Sequence, residues 1–221
     1  MNRYAIIVAG GKGLRMGQEL PKQFIAIGER PILMHAIQAF YHADKAVSLI
    51  LVLPKEQMEY WEALCELHCF KVPVRIAEGG STRFHSVKNG LKLIDGDGLV
   101  AIHDGVRPFV SQQVIENAFQ AAEQFGGAIP MIDMIDSVRE VTPDGKSHPV
   151  DRERFKLVQT PQAFRTELIR SAYEMPYDKS FTDDASVFEA AGHTIHCIAG
   201  NRENIKITTP FDLLIAEALI E

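Results

Sequence analysis

Between Tyr4 and Met131 the chain alternates between short apolar runs and segments of helical apolar spacing. The runs Tyr4–Val8, Val47–Leu53, Val72–Ala77, Leu99–Ile102 and Gly127–Met131 are near-continuously apolar, not alternating with polar residues. That pattern fits strands covered on both faces. The segments between them read as helices: one opened by Pro31, then 55–67, one capped by Ser81 and running through Val87 to Leu93, and one capped by Ser111 and reaching Phe125. Helices interleaved with buried parallel strands cross over with one hand. The expected fold is therefore α/β, a doubly wound, mostly parallel sheet with helices on both faces. In such sheets ligands lie beyond the carboxyl ends of the strands. Three polar clusters fall there: 9–17, Gly79 to Arg83, and His103 to Arg107.

The rhythm breaks after Met131. Asp136–Val141 and His148–Lys156 flank the turn residues Thr142-Pro143-Asp144-Gly145-Lys146, which predicts a protruding β-hairpin arm over 136–157. An arm this polar belongs on a sheet edge or against a second subunit. Helices near 166–174 and 182–191, a strand near 194–198 and a last helix from Pro210 complete one expected domain over 1–221.

The first cluster, Ala9-Gly10-Gly11-Lys12-Gly13-Leu14-Arg15-Met16-Gly17, is a glycine-rich turn directly after a strand. Glycines let backbone N–H groups curl around an anion, and Lys12, Arg15 and Lys22 add positive charge. The spacing matches neither a Walker A loop nor a dinucleotide fingerprint: Gly13 follows Lys12, and the last glycine is one place late. Nucleotide phosphates and a plain surface turn both remain open on this stretch alone. In His103-Asp104-Gly105-Val106-Arg107-Pro108, Asp104 could carry a divalent metal or pair with Arg107. Arg83 could bind an anion or tie its own loop. Thr182 reads as a helix cap with Asp184 in the first turn, and metal binding by Asp183 or Asp184 is the weaker alternative. Lys206, between Ile205 and Ile207, would point away from both on a strand.

No G-x-S-x-G elbow, no H-E-x-x-H and no paired catalytic histidine is present. Cations outnumber acid–base machinery, which points to phosphoryl or nucleotidyl transfer, where position and charge do the work. A net charge of −6 speaks against nucleic acid as a partner. The three cysteines form no Cys-x-x-Cys pair, and no apolar run of membrane-spanning length occurs, so a reduced, cytoplasmic protein is expected.

Several motifs in order resemble one family. They are Ala9–Met16 with Pro21-Lys22-Gln23-Phe24, Gly79-Gly80 through Arg83 to Ser86-Val87, His103–Pro108, Val150-Asp151-Arg152, Gln159-Thr160-Pro161-Gln162, Thr182–Ser186 and Asn204–Thr208. The set is similar to the cytidylyltransferases that activate small sugar-alcohol phosphates, which implies a Rossmann-like nucleotidyltransferase fold. The resemblance is nearest to members acting on methylerythritol 4-phosphate in the non-mevalonate route to isoprenoids. It implies that Ala9, Gly10, Gly11 and Gly13 hold CTP through backbone contacts and that Arg15, Lys22 and Lys206 act on its phosphates. Gly80, Ser86, Asp104 and Gly105 would surround base and ribose, with Asp104 also at a magnesium ion. Arg107, Ser137, Arg152 and Thr182 would bind the sugar-alcohol phosphate, Ser137 and Arg152 reaching across a homodimer from the arm. Many members carry Ala-Ala where this chain has Gly105-Val106, a pair closer to the ribitol-5-phosphate enzymes. Ribitol 5-phosphate is thus the alternative acceptor, and a non-catalytic nucleotide-binding protein the alternative of another class.

Overall fold

A computed structural model describes residues 1–10 and 20–220. The chain builds β1 (Asn2–Val8), a 3-10 turn (Lys22–Phe24), the small pair β2 (Ala26–Ile27) and β3 (Arg30–Pro31), and α1 (Ile32–Ala43). Then follow β4 (Ser48–Leu53), α2 (Met58–Leu67), β5 (Val74–Glu78), α3 (Arg83–Leu91), β6 (Gly98–Asp104), α4 (Gln112–Phe125) and β7 (Gly127–Asp133). Beyond them come β8 (Val138–Val141), β9 (Ser147–Val150), β10 (Lys156–Val158), β11 (Gln162–Arg165), α5 (Thr166–Ala172), α6 (Asp184–Ala190), β12 (His196–Ala199) and α7 (Pro210–Leu219).

The main sheet runs β10-β7-β11-β6-β1-β4-β5, with β12 on β7. One half is parallel, β6, β1, β4 and β5 side by side. Successive residues of β1 and β4 point to opposite faces, and both faces are buried. Ile7, Leu49 and Leu51 join Leu33, Phe40, Trp61 and Phe119 beneath α1, α2 and α4. Ile6, Ile50 and Val52 join Phe84, Val87, Phe164 and Phe188 beneath α3, α5 and α6. Each fully buried Leu, Ile or Phe of these layers contributes roughly 1.5–3 kcal/mol. The continuous apolar runs in the sequence are the direct consequence of this two-sided burial.

The other half of the sheet is mixed. β11 lies antiparallel between β6 and β7, and β10 runs antiparallel to β7. The sequence reading has no strand at Gln162–Arg165, because four residues with two polar ends carry no apolar run. It also carries the second arm strand too far. β9 stops at Val150, a 3-10 turn at Arg152–Arg154 follows, and Lys156 already belongs to the main sheet. The hairpin itself is as expected, with Val138 opposite Val150 and Val141 opposite Ser147.

Two helix starts also move by one residue. Thr82, not Ser81, caps α3, its hydroxyl accepting from the His85 N–H. Asp183, not Thr182, caps α6, in a capping box with Ser186. The carboxylate is held from both sides there, since Gln162 also donates to it at 2.8 Å. Ser111 caps α4 as read. Among the described residues no helix is long and apolar enough to cross a membrane.

Candidate active site

The carboxyl ends of β1, β5 and β6 meet at one edge of the sheet, and a cavity of about 380 Å³ opens there. Its floor is the end of β1. Ala9 continues the ladder by donating to the Val52 carbonyl, and the Gly105 N–H closes onto the Val8 carbonyl at 2.9 Å. A Cβ at position 105 would lie 2.9 Å from Leu33 Cδ1 and 3.1 Å from Ala9 Cβ. Glycine at 105 thus permits this packing of the loop on the cavity floor. Gln23 is buried and donates to the Ala9 carbonyl at 2.9 Å and to Gln57 at 2.7 Å. That anchors the turn carrying Lys22, which lines the cavity.

One wall is the loop between β5 and α3. Gly79 donates to Leu53, and the Gly80 N–H donates to Ser86 Oγ at 3.0 Å. Gly10 faces the same hydroxyl: a Cβ on it would sit 3.6 Å from Ser86 Oγ. Gly10, Gly80 and Ser86, expected around the nucleotide, therefore come together.

Asp104 stands at the centre, the last residue of a strand buried along its whole length. Its Oδ2 receives Lys206 Nζ at 2.9 Å and Arg107 Nε at 3.3 Å. Its Oδ1 has Arg83 Nε at 3.7 Å. Burial alone would raise the carboxyl pKa, but Arg83, Lys206 and Arg107 outweigh it and hold the group well below the usual carboxylate range. Asp104 is a fixed anion among cations. Lys206 reaches it from an irregular segment and not from a strand, the Ile207 N–H docking on the Val106 carbonyl. Ile207 is buried, and Lys206 lines the cavity, without the strand on which the sequence reading rested.

Behind Asp104, His103 is fully buried. Its Nε2 faces the Arg107 carbonyl at 2.9 Å and must carry the proton, because that oxygen only accepts. Its Nδ1 then accepts from the Thr160 hydroxyl at 2.9 Å, and that hydroxyl accepts from the Asp104 N–H at 3.1 Å. Burial pushes the imidazole down to about 4, so it is neutral at physiological pH.

The remaining site residues fall elsewhere. Arg107 spends its guanidinium on Asp104 and on the Asn204 carbonyl at 2.9 Å. Thr182 is exposed just before α6. Ser137 and Arg152 are exposed on the arm, where Arg152 donates to the Ile135 carbonyl. Gly11, Lys12, Gly13 and Arg15 lie outside the described residues.

The sequence reading missed the partner of Arg83. Both terminal nitrogens of Arg83 grip Asp184, at 2.8 and 2.6 Å, and Tyr173 donates to the same carboxylate at 2.6 Å. Asp184 has no exposed surface. A signal was present: Val187 and Phe188 follow at i+3 and i+4, which puts Asp184 on the buried face of its helix.

The family profile for 2-C-methyl-D-erythritol 4-phosphate cytidylyltransferase matches residues 4–221. The enzyme of that name from Phocaeicola vulgatus is 56% identical over 220 residues, covering 100% of both chains. Among solved structures, 4-diphosphocytidyl-2C-methyl-D-erythritol synthase from Anaerococcus prevotii superposes with a TM-score of 0.84 at 30% identity, covering 99% of this chain and 96% of that one. The cytidylyltransferase from Thermus thermophilus gives 0.80 at 30% identity, covering 99% and 98%.

Proposed function

The chain belongs to the 2-C-methyl-D-erythritol 4-phosphate cytidylyltransferase family, and from that premise we propose that the cavity at the ends of β1, β5 and β6 is where it works. The protein transfers CMP from CTP to 2-C-methyl-D-erythritol 4-phosphate. A phosphate oxygen of the acceptor forms a bond to the α-phosphorus of CTP. The bond from that phosphorus to the oxygen bridging to the β-phosphate breaks, leaving CDP-methylerythritol and pyrophosphate.

The observation that carries the site assignment is the convergence of Lys22, Lys206 and Asp104 on one cavity bounded by Gly10, Gly80 and Ser86. Since the acceptor brings its own nucleophile, the site needs charge and position and no base. The backbone at Ala9 and Gly10, with Gly80, Ser86 and Gly105, holds base and ribose. Lys22 and Lys206, with Arg15, stabilise charge as it builds on the five-coordinate phosphorus. Lys206 rests on Asp104 and is placed to exchange that carboxylate for the α-phosphate of bound nucleotide. Among the described residues no group of three metal-type side chains occurs. A single carboxylate still suits magnesium, which takes one or two from protein and fills its remaining positions with phosphate oxygens and water. Asp104 Oδ1, which stands 3.7 Å from Arg83 Nε, is the atom that would hold it. Bound there, the ion would neutralise the triphosphate and its leaving group.

The acceptor's binding site is completed across a homodimer. The arm exposes Val141, and the segments at its base expose Ile135, Phe155, Leu157 and Val158, apolar surface suited to cover by a second copy. Ser137 and Arg152 then serve the partner's cavity, with Arg107 and Thr182 on the near side. The chain acts as one nucleotidyltransferase domain over 1–221, in the cytoplasm.

Pyrophosphate release from CTP and magnesium, with methylerythritol 4-phosphate and ribitol 5-phosphate in parallel, tests this. A large preference for the first in kcat/KM, lost on adding EDTA and restored by magnesium, is expected. Preference for ribitol 5-phosphate refutes the acceptor, and EDTA-insensitive turnover refutes the metal.

A further inference from the structure

Arg83 is a costly residue for its position. It opens α3, where the helix dipole disfavours a cation, and no acidic residue in the first turn offsets it. Its partner Asp184 is withdrawn from water completely, and buried ion pairs are often no more stable than well-packed apolar replacements. Stability alone is a poor reason for this arrangement.

The geometry supplies another. The guanidinium has three nitrogens in one rigid plane. Two are taken by Asp184, whose carboxylate is held in turn by the Tyr173 hydroxyl. The third, Nε, faces Asp104 Oδ1. The fork is thus clamped from behind, and its remaining edge sets one side of the site carboxylate. Lys206 and Arg107 both sit on Oδ2. Among the described residues, the cations left on Asp104 without Arg83 would both pull from that side. Arg83 also follows directly on Gly80–Thr82, which form the cavity wall. We infer that Arg83, buttressed by Asp184 and Tyr173, is a positioning residue that holds Asp104 and the Gly80–Thr82 wall ready for CTP.

This inference rests on the cavity being the CTP site, and the test separates the two. The triple variant Arg83→Met/Asp184→Leu/Tyr173→Phe replaces the network by apolar groups without leaving an orphaned hydroxyl. Arg83→Lys keeps the charge but loses the planar fork whose separate nitrogens face Asp184 and Asp104 at once. Melting temperature, steady-state kinetics and calorimetric titration with CTP and magnesium are measured for each. The triple variant should stay folded while kcat/KM for CTP falls roughly 10–100-fold, the usual scale for a lost supporting contact. The KM for the acceptor should hardly move. Arg83→Lys should weaken CTP binding in the same direction. A folded triple variant with wild-type kinetics overturns the inference, and so does Arg83→Lys with unchanged CTP affinity, whether or not the triple variant folds. If the wild-type protein binds no CTP at all, the site assignment itself fails.

Discussion

Gly80→Ala is the sharpest single perturbation of the site. A Cβ at position 80 would lie 2.3 Å from His85 Cβ and 2.9 Å from the His85 carbonyl carbon. Ordinary contact begins near 3.4 Å, so the two segments must part by about 1.1 Å. Neither yields easily. Gly79 is tied to Leu53 and Gly80 to Ser86 Oγ, while His85 lies in the first turn of α3 behind its Thr82 cap. A displacement near 1 Å at a positioning element costs on the order of 10²-fold in rate. Overpacking of this kind costs about 1–3 kcal/mol of stability, a lowering of roughly 2–4 °C in Tm for each kcal/mol in a protein this size. Gly10→Ala is the control. Among the described residues its Cβ would meet only Ser86 Oγ, at 3.6 Å. It should leave Tm unchanged while raising the KM for CTP, because the nucleotide and not the protein occupies that space. Pyrophosphate release at saturating acceptor, with CTP varied, reads both variants. A Gly80→Ala enzyme within threefold of wild type would refute the assignment of this loop to the nucleotide site.

Lys22→Ala and Lys206→Ala should each lower kcat by roughly 10²-fold or more, the scale for removing one transition-state donor; near-normal single-turnover rates would sink that role. Mixing an Arg152→Ala chain with a Lys22→Ala chain should restore part of the activity through hybrid dimers, and remixed subunits that stay inert would show that Arg152 does not cross to its partner. Because His103 titrates near 4 in the fold against 6.5 when free, the unfolded chain takes up its proton first as pH falls. Stability should therefore drop between about pH 6.5 and 4, by on the order of 3 kcal/mol. In urea melts at pH 7 and 4.5, His103→Asn should lose part of that dependence; an unchanged slope would place the proton uptake elsewhere. Cys65, its thiol pushed up to about 11 by burial and by Glu62, should resist alkylation at pH 8 while the exposed Cys69 and Cys197 react, as intact-mass measurement would show.

The apolar strands were legible because burial between layers of helices leaves a mark along a strand, most fully in β1, β4 and β6. β1, β4, β5, β6 and β7 all fall within two residues of their apolar runs. β11 left no such mark, since its place between β6 and β7 depends on long-range pairing and not on its own four residues. The helix starts at Thr82 and Asp183 were each missed by one residue. Adjacent Ser, Thr and Asp side chains compete for the same orphan N–H groups, and in the folded chain those groups go to Thr82 and Asp183. For the site, the sequence by itself placed glycines and cations just after the strand ends and offered no covalent nucleophile motif, and its ordered motifs pointed to cytidylyl transfer. Which cations share Asp104, that Lys206 reaches it from an irregular segment, and that Arg83 is clamped by Asp184 were decided by tertiary structure alone. Arg83 and Asp184 lie 101 positions apart. Chemical types and spacings are local and can be read along a chain, whereas an ion pair between such distant residues exists only once the sheet has brought its strand ends together.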